Sequence, residues 1–235
     1  RLFIFKKMKK LYVVGNKASK SLSPTIFNYW FKKYNIKASY GYLELTEKNF
    51  HNKIKDVLEK KDTLGLNVTI PFKNKIIKHL GKIDSHAKKI GAVNCVTNKK
   101  TINGTNTDWT GYYKTLPNIK QTKNRKVIIL GYGGASHAIH YVLKKRGFKD
   151  ILIFNRSKKK IKYSKNTEYT KKYSDLETHL EGVFLIINTT PINPMLKKHL
   201  KLITKSTIVS DIVYSPKNTS FCLLYTSPSP RDVRS

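Results

Sequence analysis

Acidic residues are scarce in this chain: 14 Asp and Glu face 47 Lys and Arg, a formal net charge of +33 over 235 residues. Cysteine is rarer still. Cys95 and Cys222 are the two present, far apart and without metal-ligand spacing, so both read as free thiols in a reducing cytoplasm and no metal site is expected. No run of about 18 apolar residues occurs, so no helix of the kind that spans a bilayer is expected and the setting reads as cytoplasmic. The first ten residues, RLFIFKKMKK, are basic and apolar but lack the longer apolar stretch and small-residue cleavage site of a signal peptide. Met8 is the expected start, with the residues before it an overhang.

What is present is enough apolar material for packed cores, 39% of residues, which argues against wholesale disorder. The charge invites a polyanion-binding reading. Its distribution argues the other way: lysines are spread from Lys32 and Lys33 through Lys53, Lys55, Lys60 and Lys61 to Lys158, Lys159 and Lys160, and no nucleic-acid motif organises them. A coding bias toward lysine produces the same pattern, so no specific nucleic-acid partner is expected. The field should still draw anionic small molecules toward a cleft.

The chain alternates short apolar runs with helical periodicity. Leu11 to Val14 reads as a strand ending at Gly15, followed by a helix with Ser23 as N-cap and Pro24 at the first position. Ile26, Phe27, Trp30, Phe31 and Tyr34 recur at helical spacing and are expected in the core. A strand over Ala38 to Leu45 and an amphipathic helix over Thr46 to Lys61, buried through Phe50, Ile54, Val57 and Leu58, come next. Leu64 to Ile70 is a strand stopped by Pro71, and a helix is expected near Lys73 to Leu80. Ala92 to Thr97 and Thr101 to Gly104 look like a hairpin around Asn98-Lys99-Lys100. The pattern restarts at Lys126: strand Val127 to Leu130, helix Ala135 to Arg146 stopped by Gly147, strand Ile151 to Phe154, then strands Val183 to Asn188 and Ile208 to Val213. This order predicts an α/β chain of two domains with parallel strand layers, one over 8–107 and a Rossmann-like one over 108–219. The last stretch, 220–235, has Ser-Pro repeats and no periodicity, and reads as a non-native or disordered tail.

Gly131-Tyr132-Gly133-Gly134-Ala135-Ser136 follows an apolar strand and opens a helix. That context sets backbone N–H groups and the positive helix end against a phosphate. Ser136 stands where the common pattern has its third glycine. At the end of the second strand an NAD site usually carries a carboxylate, whereas Asn155-Arg156-Ser157 and three lysines offer hydroxyls and cations for a 2′-phosphate. Arg156 brings a planar donor fork. The expected cofactor is NADP.

Polar clusters recur where strands of the first half end: Ser21-Leu22-Ser23-Pro24, Asn67 to Lys73, and Asn94 with Asn106-Thr107-Asp108. Such ends are where ligands bind in open α/β sheets. Taken in order with the glycine turn, G-N-x-x-x-x-S-x-S-P, N-V-T-x-P-F-K, G-A-V-N, N-T-D, G-x-G-G-A-S, N-R-S and I-N-x-T closely resemble the shikimate dehydrogenase family from about Leu11 to Pro216. The resemblance implies a two-domain enzyme of the chorismate pathway that reduces 3-dehydroshikimate to shikimate with NADPH. It implies that Ser21 and Ser23 hold the substrate carboxylate, that Asn67, Thr69, Asn94 and Asp108 hold its hydroxyls, and that Tyr214 reaches it. Lys73 becomes the acid/base, with Asp108 orienting it, because a carboxylate beside a lysine favours the ammonium and does not free the amine. Gly131, Tyr132, Gly133, Gly134 and Ala135, together with Asn155, Arg156, Ser157 and Lys160, would hold NADP, with Ile212 beside the nicotinamide.

The chain departs from the family pattern at Lys17 and Lys20, where proline and histidine are frequent, and at Ile192-Asn193-Pro194-Met195, where a Gly-Met pair is usual. The family's closing glycine, glutamine and returning helix are not readable after Ile208. The rival readings are an NAD-using quinate/shikimate dehydrogenase and a basic polyanion-binding protein on a dinucleotide fold. Oligomeric state is not legible, a homodimer being one option.

Overall fold

A computed structural model describes residues 8–117, 119, 122–161, 168–213, 219–221 and 223. The chain divides between Gly111 and Tyr112 into two compact units. Of the expected tail, Ser220, Phe221 and Leu223 are described, and Phe221, 1% exposed, packs in a buried apolar cluster with Ile128, Leu130 and Ile186, so the expectation of a disordered segment fails there. Cys222, Tyr214 and the rest of the tail lie outside the described residues.

The first unit is built on a six-stranded sheet of order β2-β1-β3-β5-β6-β4. Its elements are β1 (Lys9–Gly15), α1 (Ser23–Lys33), β2 (Ala38–Glu44), α2 (Phe50–Leu58), β3 (Thr63–Val68), a 3-10 helix (Lys75–His79), β4 (Lys82–Ile83), α3 (Ser85–Ile90), β5 (Cys95–Asn98) and β6 (Ile102–Thr105). β1 pairs in parallel with β2 and β3, as a layer of strands alternating with helices requires. The expected hairpin exists as antiparallel β5 and β6, so this sheet is mixed and not wholly parallel. Phe50, Ile54, Val57 and Leu58 of α2 are buried against Leu66, Val68 and Phe72, with Phe50 stacked on Phe72 at 4.2 Å. A fully buried aromatic of this size contributes about 1.5–3 kcal/mol by transfer alone.

Three expectations for this unit need correction. Ser23 is the first residue of α1 and not its cap; Leu22 holds the cap position, and the Ser21 hydroxyl accepts the Ser23 N–H at 3.2 Å. The stretch after Lys73 tightens into a 3-10 helix over Lys75–His79. The aromatic set on α1 is not core: Ile26, Trp30 and Tyr34 are 44%, 45% and 63% exposed. Phe27 and Phe31, four residues apart, form the single stripe that meets Val13, Ala18 and Tyr40. Ile26 and Trp30 lie about 100° round the helix from them and miss the sheet.

In the second unit four parallel strands run in the order β10-β9-β7-β8. They are β7 (Lys126–Leu130), β8 (Ile151–Phe154), β9 (Val183–Asn188) and β10 (Ile208–Asp211), with α5 (Gly134–Lys145) following β7 and α4 (Asp108–Thr115) preceding it across the division. Val127 and Ile129 join one apolar cluster and Ile128 and Leu130 another, so both faces of β7 are covered. That explains why its sequence is a continuous apolar run and not an alternation. Gly147, at φ 89°, closes α5 as expected, its N–H bonding the Lys144 carbonyl at 3.1 Å.

Burial pushes the His140 imidazole of α5 down to about 4, helped by Lys144 and opposed by Glu168. The folded chain therefore keeps this ring neutral while the unfolded chain protonates it near its usual value of about 6.5. Stability should fall as pH drops from about 6.5 to about 4 and level off below, an apparent loss of up to about 3 kcal/mol. Thermal melts across that window should show a shallower slope for His140→Gln. An unchanged slope would mean that other groups carry the acid sensitivity.

Candidate active site

In the first unit the strand ends carry the expected polar groups, and hydrogen bonds connect most of them. β3 ends at Val68, so Asn67 lies in its last turn of ladder while Thr69 follows it, its N–H bonded to the Val14 carbonyl at 2.8 Å. Lys73 comes four residues later, and its carbonyl accepts the Val93 N–H at 2.7 Å, which ties the loop to the segment leading into β5. Asp108 is the first residue of α4. Lys73 Nζ donates to Asp108 Oδ2 at 2.7 Å, with side-chain exposures of 13% and 30%. This pair is neither a surface ion pair nor a sealed one: the ammonium is largely covered while the carboxylate still faces solvent.

Asn94 completes the cluster. Its Nδ2 donates to Asp108 Oδ1 at 2.7 Å, and its Oδ1 accepts the Thr107 N–H at 2.8 Å. Both carboxylate oxygens of Asp108 are thus held, one by an amine and one by an amide. Beneath them Asn106, 3% exposed, accepts the N–H groups of Asp108 and Trp109 at 3.0 and 3.3 Å and donates to the Ala92 carbonyl at 2.9 Å. Asn106, just outside the cap position at Thr107, thereby satisfies donors that the start of α4 leaves open. Ser21 and Ser23 stand half-buried at the start of α1, joined at 3.1 Å between hydroxyls. Asn67 approaches the Asn94 carbonyl through Nδ2 at 3.4 Å, and its Oδ1 accepts the Tyr40 hydroxyl at 2.6 Å. Tyr40 was not among the expected site residues; nothing separates it in sequence from any other strand aromatic.

In the second unit the glycine turn leaves β7 at Gly131, whose N–H bonds the Phe154 carbonyl at 2.7 Å. Gly131 has φ 100°, and a Cβ there would lie 2.6 Å from Thr189 Oγ1 and from Thr190 Cγ2. Gly133 is the N-cap of α5, in extended conformation, and a Cβ there would meet nothing within 4 Å. Open space beside a helix start is what a phosphate needs. Ser136 is fully buried, and its hydroxyl has no hydrogen-bond partner among the described residues. Tyr132 is 8% exposed and packs in the same cluster as Ile212. Gly134 and Ala135 form the first turn of α5. Thr189 and Thr190, the close neighbours of the turn, carried no expected role, although the I-N-x-T spelling had marked Thr190.

After β8, the Asn155 side chain donates to the Ser157 carbonyl at 2.8 Å, and Thr170 Oγ1 donates to the same carbonyl at 3.2 Å. The loop is pinned by these bonds while Arg156, Ser157 and Lys158 to Lys160 stay exposed. The residues present therefore fit a dinucleotide with a 2′-phosphate: an open glycine-lined helix start, and beyond the neighbouring strand a fixed loop of cations and a hydroxyl.

A parallel-sheet unit with such a cradle, joined in sequence to a first unit carrying a lysine–aspartate pair among amide and hydroxyl groups, defines the class of dinucleotide-linked dehydrogenases. Comparison with known proteins narrows this. The family model described as shikimate dehydrogenase substrate binding domain matches residues 13–96, and that described as shikimate / quinate 5-dehydrogenase matches residues 114–220. A protein of Clostridium botulinum named shikimate dehydrogenase (NADP(+)) is 38% identical over 217 residues, covering 88% of this chain and 83% of its own. The crystal structure of shikimate dehydrogenase 1 from Peptoclostridium difficile superposes with a TM-score of 0.79 at 29% identity, covering 92% of this chain and 82% of that one. The shikimate dehydrogenase from Thermotoga maritima gives a TM-score of 0.77 at 29% identity, over 92% and 83% of the two chains. The chain belongs to the shikimate dehydrogenase family.

Proposed function

We propose that this chain interconverts 3-dehydroshikimate and shikimate using NADP(H), with substrate held by residues 8–107 together with Asp108 and the cofactor held within 108–219. The observation that carries the reading is the Lys73–Asp108–Asn94 cluster, an amine donor fixed by a carboxylate whose own orientation is fixed by an amide. NADPH, when bound, supplies the hydride. Reduction of a ring ketone leaves an alkoxide that must take up a proton, and Lys73 Nζ is the group with reach and donors to give it. Asp108 keeps Nζ aimed and offers an acceptor to a substrate hydroxyl. Ser21 and Ser23 take the carboxylate; Asn67, Thr69 and Asn94 take hydroxyls, and Tyr214 reaches the substrate. Gly131 to Ala135 take the pyrophosphate, Asn155, Arg156, Ser157 and Lys160 the 2′-phosphate, and Ile212 the nicotinamide side.

The cytoplasmic setting belongs to the same proposal, as does homodimer formation, which sedimentation would register. No helix among the described residues is long and apolar enough to cross a membrane.

The direct test is NADPH oxidation on addition of 3-dehydroshikimate, followed at 340 nm. NADH should be oxidised far more slowly. Arg156→Ala should lower the preference for NADPH by roughly 10- to 100-fold, the worth of a charged phosphate contact of about 1.5–3 kcal/mol. Equal use of both cofactors by the unaltered protein would favour the NAD reading. Nucleic-acid binding at physiological salt without reductase activity would favour the polyanion reading.

A further inference from the structure

Tyr40 lies on β2, the edge strand of the six-stranded sheet, and is 3% exposed. A tyrosine buried at a sheet edge could be there for its ring alone, and the ring is indeed stacked on Phe27 at 4.6 Å with planes 8° apart. Its backbone is also held. The Asn28 side chain on α1 donates from Nδ2 to the Tyr40 carbonyl at 2.8 Å and accepts the Tyr40 N–H at 2.9 Å, occupying main-chain groups that an edge strand leaves open. So constrained, the hydroxyl can point one way, and it donates to Asn67 Oδ1 at 2.6 Å.

Burial pushes the Tyr40 phenol up, keeping it a protonated donor. Its single proton goes to Asn67 Oδ1, and Asn67 donates from Nδ2 toward the Asn94 carbonyl. Tyr40 and Asn67 thus donate in one sense, an arrangement in which each bond polarises the next. The two ends of an amide are nearly the same shape, and Asn67 alone could turn over. Turning it would set the amide nitrogen, a donor, against the Tyr40 hydroxyl proton.

We propose that Tyr40 is a positioning residue for substrate recognition: its hydroxyl fixes the Asn67 amide with the nitrogen toward the substrate hydroxyl. This rests on the reading that Asn67 holds the substrate. Tyr40 itself does not touch substrate; it acts through Asn67.

Tyr40→Phe removes the hydroxyl and keeps the stacked ring. In calorimetric titrations of the whole chain, shikimate should bind about ten-fold more weakly to this variant while NADP+ binds as before, and KM for shikimate should rise about ten-fold with kcat within about two-fold. In an Asn67→Ala background the same change should add less than about two-fold. Asn67→Asp, which keeps an acceptor for Tyr40 and removes the donor, should weaken shikimate binding comparably. Full additivity of the double variant, unchanged binding by a Tyr40→Phe protein that melts like the parent, or normal binding by Asn67→Asp would each overturn the inference. A parent chain that binds no shikimate would overturn the functional reading and this inference together.

Discussion

Replacing Lys73 with alanine is expected to cut turnover by roughly 10²- to 10⁴-fold, the usual worth of a positioned acid/base, while changing shikimate affinity only a few-fold. The asymmetry follows from what Nζ does. In the resting protein it is committed to Asp108 Oδ2 at 2.7 Å, and the carboxylate keeps its second oxygen on Asn94 whether or not the lysine is there. Substrate hydroxyls therefore still find Asp108, Asn94 and Asn67 in place after the substitution. What disappears is the proton for the developing alkoxide, a contribution made in the transition state and not in the ground state. Steady-state kcat and KM measured together decide it, with Lys73→Met as a companion that keeps the apolar stem packed where the side chain is 13% exposed. A variant with parental turnover would remove Lys73 from the mechanism, and a rise in KM with kcat unchanged would make it a binding group only.

How much of this was readable before the fold depended on whether the residues concerned announce their environment. β7 and β9 did so, because strands covered on both faces need uninterrupted apolar runs. α2 did so as well: Phe50, Ile54, Val57 and Leu58 trace one helical stripe, and that stripe is buried. α1 shows the limit of the same argument. Its apolar residues extend over two adjacent stripes, and periodicity cannot say that the sheet is met by Phe27 and Phe31 while Ile26 and Trp30 face out. α3, six residues long between the Asp84 cap and Gly91 in the left-handed region, is shorter than the window in which periodicity can be read. β4 has two residues and is defined by its partner β6. In the site, Lys73 and Asp108 are 35 residues apart, and nothing in either segment alone specifies the ion pair. Their pairing was legible through the resemblance of whole motifs. Tyr40 and Thr189 were not legible because each acts by holding another residue, and a supporting role leaves no signature in spacing or residue type; Asn106 was marked by the N-T-D motif, but its part in holding the start of α4 was not.

The second large effect concerns the glycine turn, where two glycines two residues apart should fail in opposite ways. Gly131 is at φ 100°, and its Cβ would stand 2.6 Å from Thr189 Oγ1 and Thr190 Cγ2. Thr189 cannot simply yield, because its hydroxyl and N–H both bond the Leu130 carbonyl, at 2.8 and 2.9 Å. A left-handed alanine costs about 1–2 kcal/mol and overpacking typically about 1–3 kcal/mol, so Gly131→Ala should lose roughly 2–5 kcal/mol and melt about 5–15 °C lower. Gly133 has φ −112° and ψ −174°, open to any residue, and its Cβ would touch nothing. Gly133→Ala should therefore melt like the parent, within about two degrees, and yet bind NADPH about ten-fold more weakly or worse, because the added methyl occupies the space through which the backbone reaches a phosphate. Melting curves and NADPH titrations on both variants separate the two roles. If Gly133→Ala kept parental NADPH affinity, the open volume at the start of α5 would not be the phosphate cradle, and the Asn155-Arg156-Ser157 loop would have lost the partner site that gives it meaning.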